Sequence, residues 1–270
     1  MATMDTGWVL FTLQKQQFGM PIKDLLQMVV LDKVATQATA PETVRGLINL
    51  RNRIVPVVDT RQCLGMTTKL SQQNEFVQMM NARKQDHIHW LDELFLAIEE
   101  KRTFTLTRDP HLCAFGKWYD GYKTDNAVFG MHLAKFDAPH RRIHQLADEV
   151  DILVSRHELD KAQKLIEKTR DNELKTMITL FDSVETVLKE AEKEIVLIMN
   201  RGNHLMGFVV DDVYTVKDIQ PDNIQMVDQV HSICMDGGTR VAEVDGVTSI
   251  LLHPDDVFRT TSSLLDTASE

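Results

Sequence analysis

The sequence predicts an α+β, multidomain fold in which a pair of small β-barrels is interrupted by an antiparallel helical bundle. Three observations predict it. Of twelve glycines, only Gly116, Gly121 and Gly130 fall between residues 71 and 190. Of ten histidines, seven fall in that stretch and none in residues 1–70. The hydrophobic period also changes, from short apolar runs in the flanks to three- and four-residue steps in the middle. Residues 1–70 and 191–270 are therefore read as one discontinuous β domain, and residues 71–190 as a helical insertion.

The left flank opens with "GWVLFTLQKQQFGM", two apolar runs around a polar turn, which reads as a hairpin. "LLQMVV" from Leu25 is a further short strand. "RGLINLRNRIVPVVDTRQCLG" supplies two more, broken at Arg51-Asn52-Arg53. Pro56 is expected at a strand edge or bulge, because it donates no ladder hydrogen bond. The right flank resumes with "EIVLIMNRGNHLMGFVVDDVYTV": strand, turn at Arg201-Gly202-Asn203, strand. "TRVAEVDGVTSILLHP" repeats the scheme with Asp245-Gly246 as the turn. Many short strands at this spacing suggest small barrels.

In the middle, "DNELKTMITLFDSVETVLKEAEKE" places Leu174, Met177, Ile178, Phe181, Val184, Val187, Leu188 and Ala191 along one helical stripe. A second long helix is expected from Ser71 to Glu100, and a shorter one from Cys113 to Tyr122. Asp137 is expected to cap the next helix, with Pro139 in its first turn. An even number of antiparallel helices lets the chain leave and re-enter its host at one end. The first and last long helices then lie side by side, each of about thirty residues and roughly 45 Å.

Composition narrows the function classes. Hydrophobic residues make up 43% and charged residues 26%, as in an ordinary globular protein. No run of about 18 apolar residues and no leader-like N-terminus is visible, so no membrane insertion is expected. Three widely spaced cysteines, Cys63, Cys113 and Cys234, argue against a disulfide framework and fit a reducing cytoplasm. The formal charge of −10, without a basic stripe, argues against nucleic acid as a partner. The charge is uneven: +3 over residues 1–70, −4 over 71–190 and −9 over 191–270. Opposite signs at the two ends fit flanks that pack on each other, or two faces that meet different partners.

"HRRIH" sets His140 and His144 four residues apart, on one face of a helix. Structural zinc takes four Cys or His ligands in a closed tetrahedral site. Cys113, near a helix start where the dipole favours a thiolate, is a third candidate. His87 and His89 are two apart and point to different faces, so only one can join, and His87 is taken. Trp90, one turn on, and Trp118 are expected to wall the ion from water. Two other readings fit the same residues. A His pair at this spacing is also what two ordinary histidines look like, and a buried cysteine is commonly a small core filler. A di-iron or hemerythrin-like bundle shares the helical host, but it needs more His and carboxylate ligands, and a thiolate suits zinc better. Four protein ligands leave no position for a reacting water. The flanks show no glycine-rich phosphate loop and no Ser/His/Asp grouping, so an enzyme is not expected.

Two families are recognisable on these segments. "FTLQKQQFGMPIKDL", "RGLINLRNRIVPVVDTRQCLG" and "GFVVDDVYTVKDI" resemble the CheW coupling proteins of bacterial chemotaxis, over most of residues 7–66 and 194–258. "HIHW", "LCAFGKWYDGY" and "HRRIH", in that order, resemble the chemoreceptor zinc-binding (CZB) domain over about residues 75–188. The first resemblance implies a pair of SH3-like β-barrels, with no active site, that bridges chemoreceptor cytoplasmic tips and the histidine kinase CheA. The second implies a three-His, one-Cys zinc site, which carries over to His87, Cys113, His140 and His144. The CheW family's functional arginine carries over to Arg51 in "NLRN", where Asn52 replaces the usual glycine. Its valine-x-glutamate surface carries over to Leu25 and Gln27, with loss of the carboxylate. The joint expectation is a cytoplasmic, non-enzymatic scaffold with a zinc module that senses zinc or an oxidant such as hypochlorous acid. The alternative is a scaffold in which zinc is a permanent staple. Self-association through the helical bundle is a further expectation.

Overall fold

A computed structural model describes residues 6–36, 40–201, 204–227 and 239–253. The chain divides into two compact units, one from Met1–Ser71 with Lys193–Glu270 and one from Gln72–Glu192. Among the described residues, no helix is long and apolar enough to cross a membrane.

The first unit begins with β1 (Gly7–Leu13) and β2 (Gln16–Pro21), a hairpin. Gln14 and Lys15 between them have φ of 50° and 67°, the left-handed pair that a tight two-residue turn requires. β3 (Leu25–Val30), β4 (Val44–Leu50) and β5 (Arg53–Asp59) follow, then a short helix α1 (Thr60–Cys63) capped by the Asp59 carboxylate. Past the second unit come β6 (Ile195–Arg201), β7 (His204–Val210), β8 (Asp212–Asp218), β9 (Gln225–Val227), β10 (Thr239–Val244) and β11 (Val247–Leu251). Arg51-Asn52 and Asp245-Gly246 also turn their hairpins at positive φ. The turn read at Arg201-Gly202-Asn203 includes residues 202 and 203, which lie outside the described residues, although Arg201 and His204 pair across it. Cys234 lies outside them too.

Both sheets draw on both flanks. The six-stranded sheet runs β8-β1-β2-β11-β10-β9, and the five-stranded sheet runs β3-β6-β7-β5-β4. Ala35, beyond β3, exchanges two backbone hydrogen bonds of 2.9 Å with Leu47 of β4, which curls the smaller sheet toward a barrel. One apolar cluster joins the sheets, with Val9, Phe11 and Phe18 from one and Leu197, Met199 and Phe208 from the other. Cys63 is buried in it. A second cluster, around Trp8, Leu10 and Leu251, belongs to the six-stranded sheet. A third, around Val55, Val57, Val196 and Ile198, belongs to the five-stranded sheet. Two arginines of the left flank reach carboxylates of the right, and Arg45 also pairs within its own flank. Arg61 Nε donates to Asp211 at 2.9 Å, and Arg45 bridges Asp59 at 2.8 Å and Glu194 at 2.9 Å. Pro56 lies on an inner strand rather than an edge, yet the β7 ladder begins one residue later, at Val57, so its missing N–H leaves no gap there.

The second unit contains α2 (Lys69–Glu99), α3 (Ala114–Gly121), α4 (Ala127–Ala134), α5 (Asp137–Ser155), α6 (Leu159–Thr169) and α7 (Lys175–Ala191). A π-helical segment, Arg170–Leu174, joins α6 and α7 with helical backbone at both junctions, so Leu159–Ala191 is one continuous rod. The rod runs antiparallel to α2: Gln73 reaches Glu192, Lys84 pairs with Asp182, and Asp92 pairs with Arg170. The path is up, down, up, down. Its second arm departs from a plain bundle, because between α2 and α3 the chain carries no helix or strand. Asp137 does not cap α5. Lys135 and Phe136 are already helical, so Asp137 falls in the first turn, where it pairs with Arg141.

Candidate metal centre

Imidazole interrupts the apolar stripe of α2. Met80, Trp90, Leu91, Leu94 and Ile98 are buried at helical steps, and His87 is buried among them, 3% exposed. His89 is not in the buried set. On α5 the buried face reads His140, Ile143, His144, Ala147, Val150, with the two histidines 4% and 1% exposed. Cys113 is the N-cap of α3, where its Sγ accepts the Gly116 N–H at 3.1 Å. Of the four candidate ligands it alone is half-buried rather than buried.

These four side chains converge. One ligand atom from each lies within 4.8 Å of all the others. Cys113 Sγ stands 3.2 Å from His140 Nε2. The imidazole centroids are 5.1 Å apart for His87 and His140, 4.9 Å for His140 and His144, and 5.8 Å for His87 and His144. A tetrahedral zinc ion holds its N and S ligands roughly 3.3–3.8 Å from one another, so small side-chain rotations close this cluster on an ion.

Hydrogen bonding tests whether they fit a metal. The Arg83 carbonyl lies 2.7 Å from His87 Nδ1 and can only accept, so Nδ1 carries the proton and Nε2 presents a lone pair. Among the described residues that Nε2 is buried without a partner, as are both ring nitrogens of His144. A buried polar atom left unpaired costs about 1–3 kcal/mol, so such atoms call for an occupant. His132 supplies the contrast. It is equally buried, but it donates from Nε2 to the Leu180 carbonyl at 3.1 Å and stays outside the cluster. Three imidazoles and one sulfur are four donors of the kinds zinc takes.

The electrostatics favour neutral imidazoles, the form that ligates. Burial, then the neighbouring His87 and His144, pushes His140 down to about 3. Burial, then His87, pushes His144 down to about 4; the peptides of Thr107 and Arg108 oppose this without reaching hydrogen-bond geometry. Burial also lowers His87. Cys113 departs from expectation. Burial raises its thiol, and the Gly116 and Phe115 amides only partly offset this, so the helix start alone does not make a thiolate.

Aromatic rings close the site. Trp90 lies 5.1 Å from His144, as expected. The opposite wall is Phe115, 5.0 Å from His140 and 5.7 Å from His87. It is not Trp118, which packs behind Phe115 and on Phe76. Phe181 of α7 completes the wall, 6.2 Å from His87. Sequence reasoning misses Phe115 and Phe181 because each is an ordinary member of an apolar stripe.

The surface residues are less concentrated. Arg51 is exposed at the tip of the β4–β5 hairpin, at φ 49°, and its side chain makes no hydrogen bond or ion pair among the described residues. Leu25 and Gln27 on β3 are half-buried, Leu25 against the core between the sheets. The exposed face of β3 is Leu26, Met28 and Val30, each about half exposed.

Two families match the chain. The family described as "CheW-like domain" matches residues 7–94 and 178–262, more than half of the chain. The "Chemoreceptor zinc-binding domain" family matches residues 87–150, a span that holds all four converging side chains. The chain is 32% identical over 59 residues to a chemotaxis protein CheW of Klebsiella aerogenes, covering 22% of this chain and 36% of that protein. It thus spans about a third of the length of that curated relative. Among solved structures it is similar to the scaffolding protein TtCheW of Thermoanaerobacter tengcongensis, at 14% identity and a TM-score of 0.43, over 93% of this chain and 87% of that one.

Proposed function

The chain belongs to the CheW-like domain family, split around a chemoreceptor zinc-binding domain, and from that premise we propose that it is a cytoplasmic, non-enzymatic scaffold that couples chemoreceptor tips to the kinase CheA and holds one zinc ion. His87, Cys113, His140 and His144 are its ligands. Arg51, Leu25 and Gln27 belong to the partner-binding surface. The observation that carries the zinc reading is the set of buried, unpartnered imidazole nitrogens facing one sulfur. Zinc supplies a crosslink between helices there. The chain does the rest: Arg83 fixes the His87 tautomer, Phe115 and Trp90 exclude water, and α5 presents two rings from one face.

The ligands come from α2, from α5 and from the N-cap of α3, so occupancy is linked to the order of the whole bundle. The scaffold senses its stimulus through this site. The half-buried Cys113 favours this over a permanent staple, because one ligand is open to chelator or oxidant while three are sealed. If zinc alters binding to receptor or kinase, those partners must alter zinc affinity equally. The test reconstitutes receptor, CheA and this protein and removes zinc with a chelator. A change in kinase output supports sensing. Unchanged output with zinc demonstrably lost leaves only the staple. A purified protein that takes up no zinc ends the reading.

A further inference from the structure

Resting on that zinc reading, we infer that Trp90 and Arg108 are positioning residues: they fasten the segment 101–112, which delivers Cys113, onto α2 and α5, and so set how fast a bound ion leaves. Three ligands sit on long helices. The fourth follows an irregular arm with no helix or strand to hold it. Between the start of this arm and the bundle lies a cleft of about 370 Å³, lined by Leu94, Ile98, Phe104 and Val150, so core packing there is incomplete.

Specific side-chain contacts hold the arm instead. Trp90 Nε1 donates to the Thr107 carbonyl at 2.7 Å, and the Phe104 ring stands edge-on to Trp90 at 4.9 Å. Arg108 lies over Phe104 at 5.9 Å and pairs with Asp148 of α5 at 2.9 Å, and with Asp151. Trp90 is the link, since the same indole packs on His144. At the far end the arm is joined closely to α3. A Cβ at Gly116 would lie 1.7 Å from the Pro110 carbonyl oxygen, so only glycine permits this approach. Lifting the arm therefore moves Pro110 through Cys113 with α3 and takes the sulfur away, while the imidazoles stay on their helices.

The test uses the full-length, zinc-loaded protein mixed with excess chromogenic chelator. Trp90→Phe keeps an aromatic ring against His144 and removes the N–H; Arg108→Gln removes the ion pairs; neither replaces a ligand. Trp90→Phe should release zinc about fivefold faster, the factor one ordinary hydrogen bond is worth. Arg108→Gln should release it about threefold faster, as fits pairs at the surface, and Arg108→Lys should recover much of that loss. In Arg108→Gln the starting zinc content and the thiolate-to-metal absorption of the cobalt-substituted protein should match the parent. Amide exchange should quicken in 101–112 but not in α2 or α5. Parental release rates in both variants overturn the inference while leaving the zinc site standing. A parent chain that binds no zinc overturns the zinc reading itself.

Discussion

Replacing His144 by leucine should change stability in opposite directions with and without metal. His144 is 1% exposed, and neither ring nitrogen has a partner among the described residues, a penalty that stands when no metal is bound. An apolar side chain of similar size removes that penalty, about 2 kcal/mol for one donor and one acceptor partly relaxed. For a helical unit spanning Gln72–Glu192, this corresponds to a rise of about 8 °C in Tm. With zinc, the parent gains about 4 kcal/mol at a thousandfold excess over Kd, and the variant loses most of it. The expected order is loaded parent, then metal-free variant, then metal-free parent, read by helix melting with and without chelator. Acidification should widen the second gap. Burial holds His144 at about 4 when folded, below its ordinary value of 6.5. Stability due to the neutral ring is complete above about pH 6.5 and is lost as pH falls toward 4, so the variant's advantage should grow by about 2 kcal/mol by pH 5. A metal-free variant that melts below its parent by the few kcal/mol of an ordinary core substitution refutes the claim that these nitrogens are unsatisfied.

Three further outcomes are expected. Gly116→Ala should push Pro110 away from α3, abolish the cobalt–thiolate absorption and weaken zinc at least about tenfold, with the β unit melting as before. Arg45→Met strands the Asp59 and Glu194 carboxylates and should cost about 3 kcal/mol in urea titrations of the β unit. Burial already raises Glu194, so protonation should return part of that loss as pH falls. Arg51→Ala should leave stability within about 0.5 kcal/mol, because the side chain is exposed and has no partner among the described residues; full retention of CheA and receptor in pull-downs would remove its interface role.

The hairpins are legible in the sequence because polar dipeptides such as Gln14-Lys15 and Arg51-Asn52 stand between apolar runs and accept left-handed backbone. The stripes of α2 and α7 are legible from their period. α4 is not, since "AVFGMHLA" is apolar almost all round and contains Gly130. Nor is α6, whose buried face is only Ala162, Ile166 and Thr169. Asp137 matches a cap pattern, but a capping residue has non-helical backbone, and Asp137 already lies inside the helix. On β3 the alternation runs unbroken across a bulge, leaving Leu25 and Gln27 half-buried and Leu26, Met28 and Val30 outward, and periodicity alone does not say which of the two faces meets solvent. At the metal centre, spacing on one helix selects His140 and His144, and parity separates His87 from His89. Their tautomers, partners and aromatic walls depend on elements distant in sequence.

The asymmetry of the site bears on how it works. Had all four ligands stood on helices of the bundle, removal of the ion would require helices of roughly 45 Å to separate, and exchange would be as slow as unfolding. Here the irregular arm between α2 and α3 leads to the one half-buried ligand, and it is fastened by an indole N–H and a guanidinium at the surface. Local opening of that arm requires far less than opening of the core. On the proposed zinc reading, the three imidazoles supply most of the grip on an ion, and the arm bearing Cys113 sets how long it stays. Amide exchange would expose an error in this division: an arm protected as strongly as α2 and α5 in the loaded protein could not open separately from them.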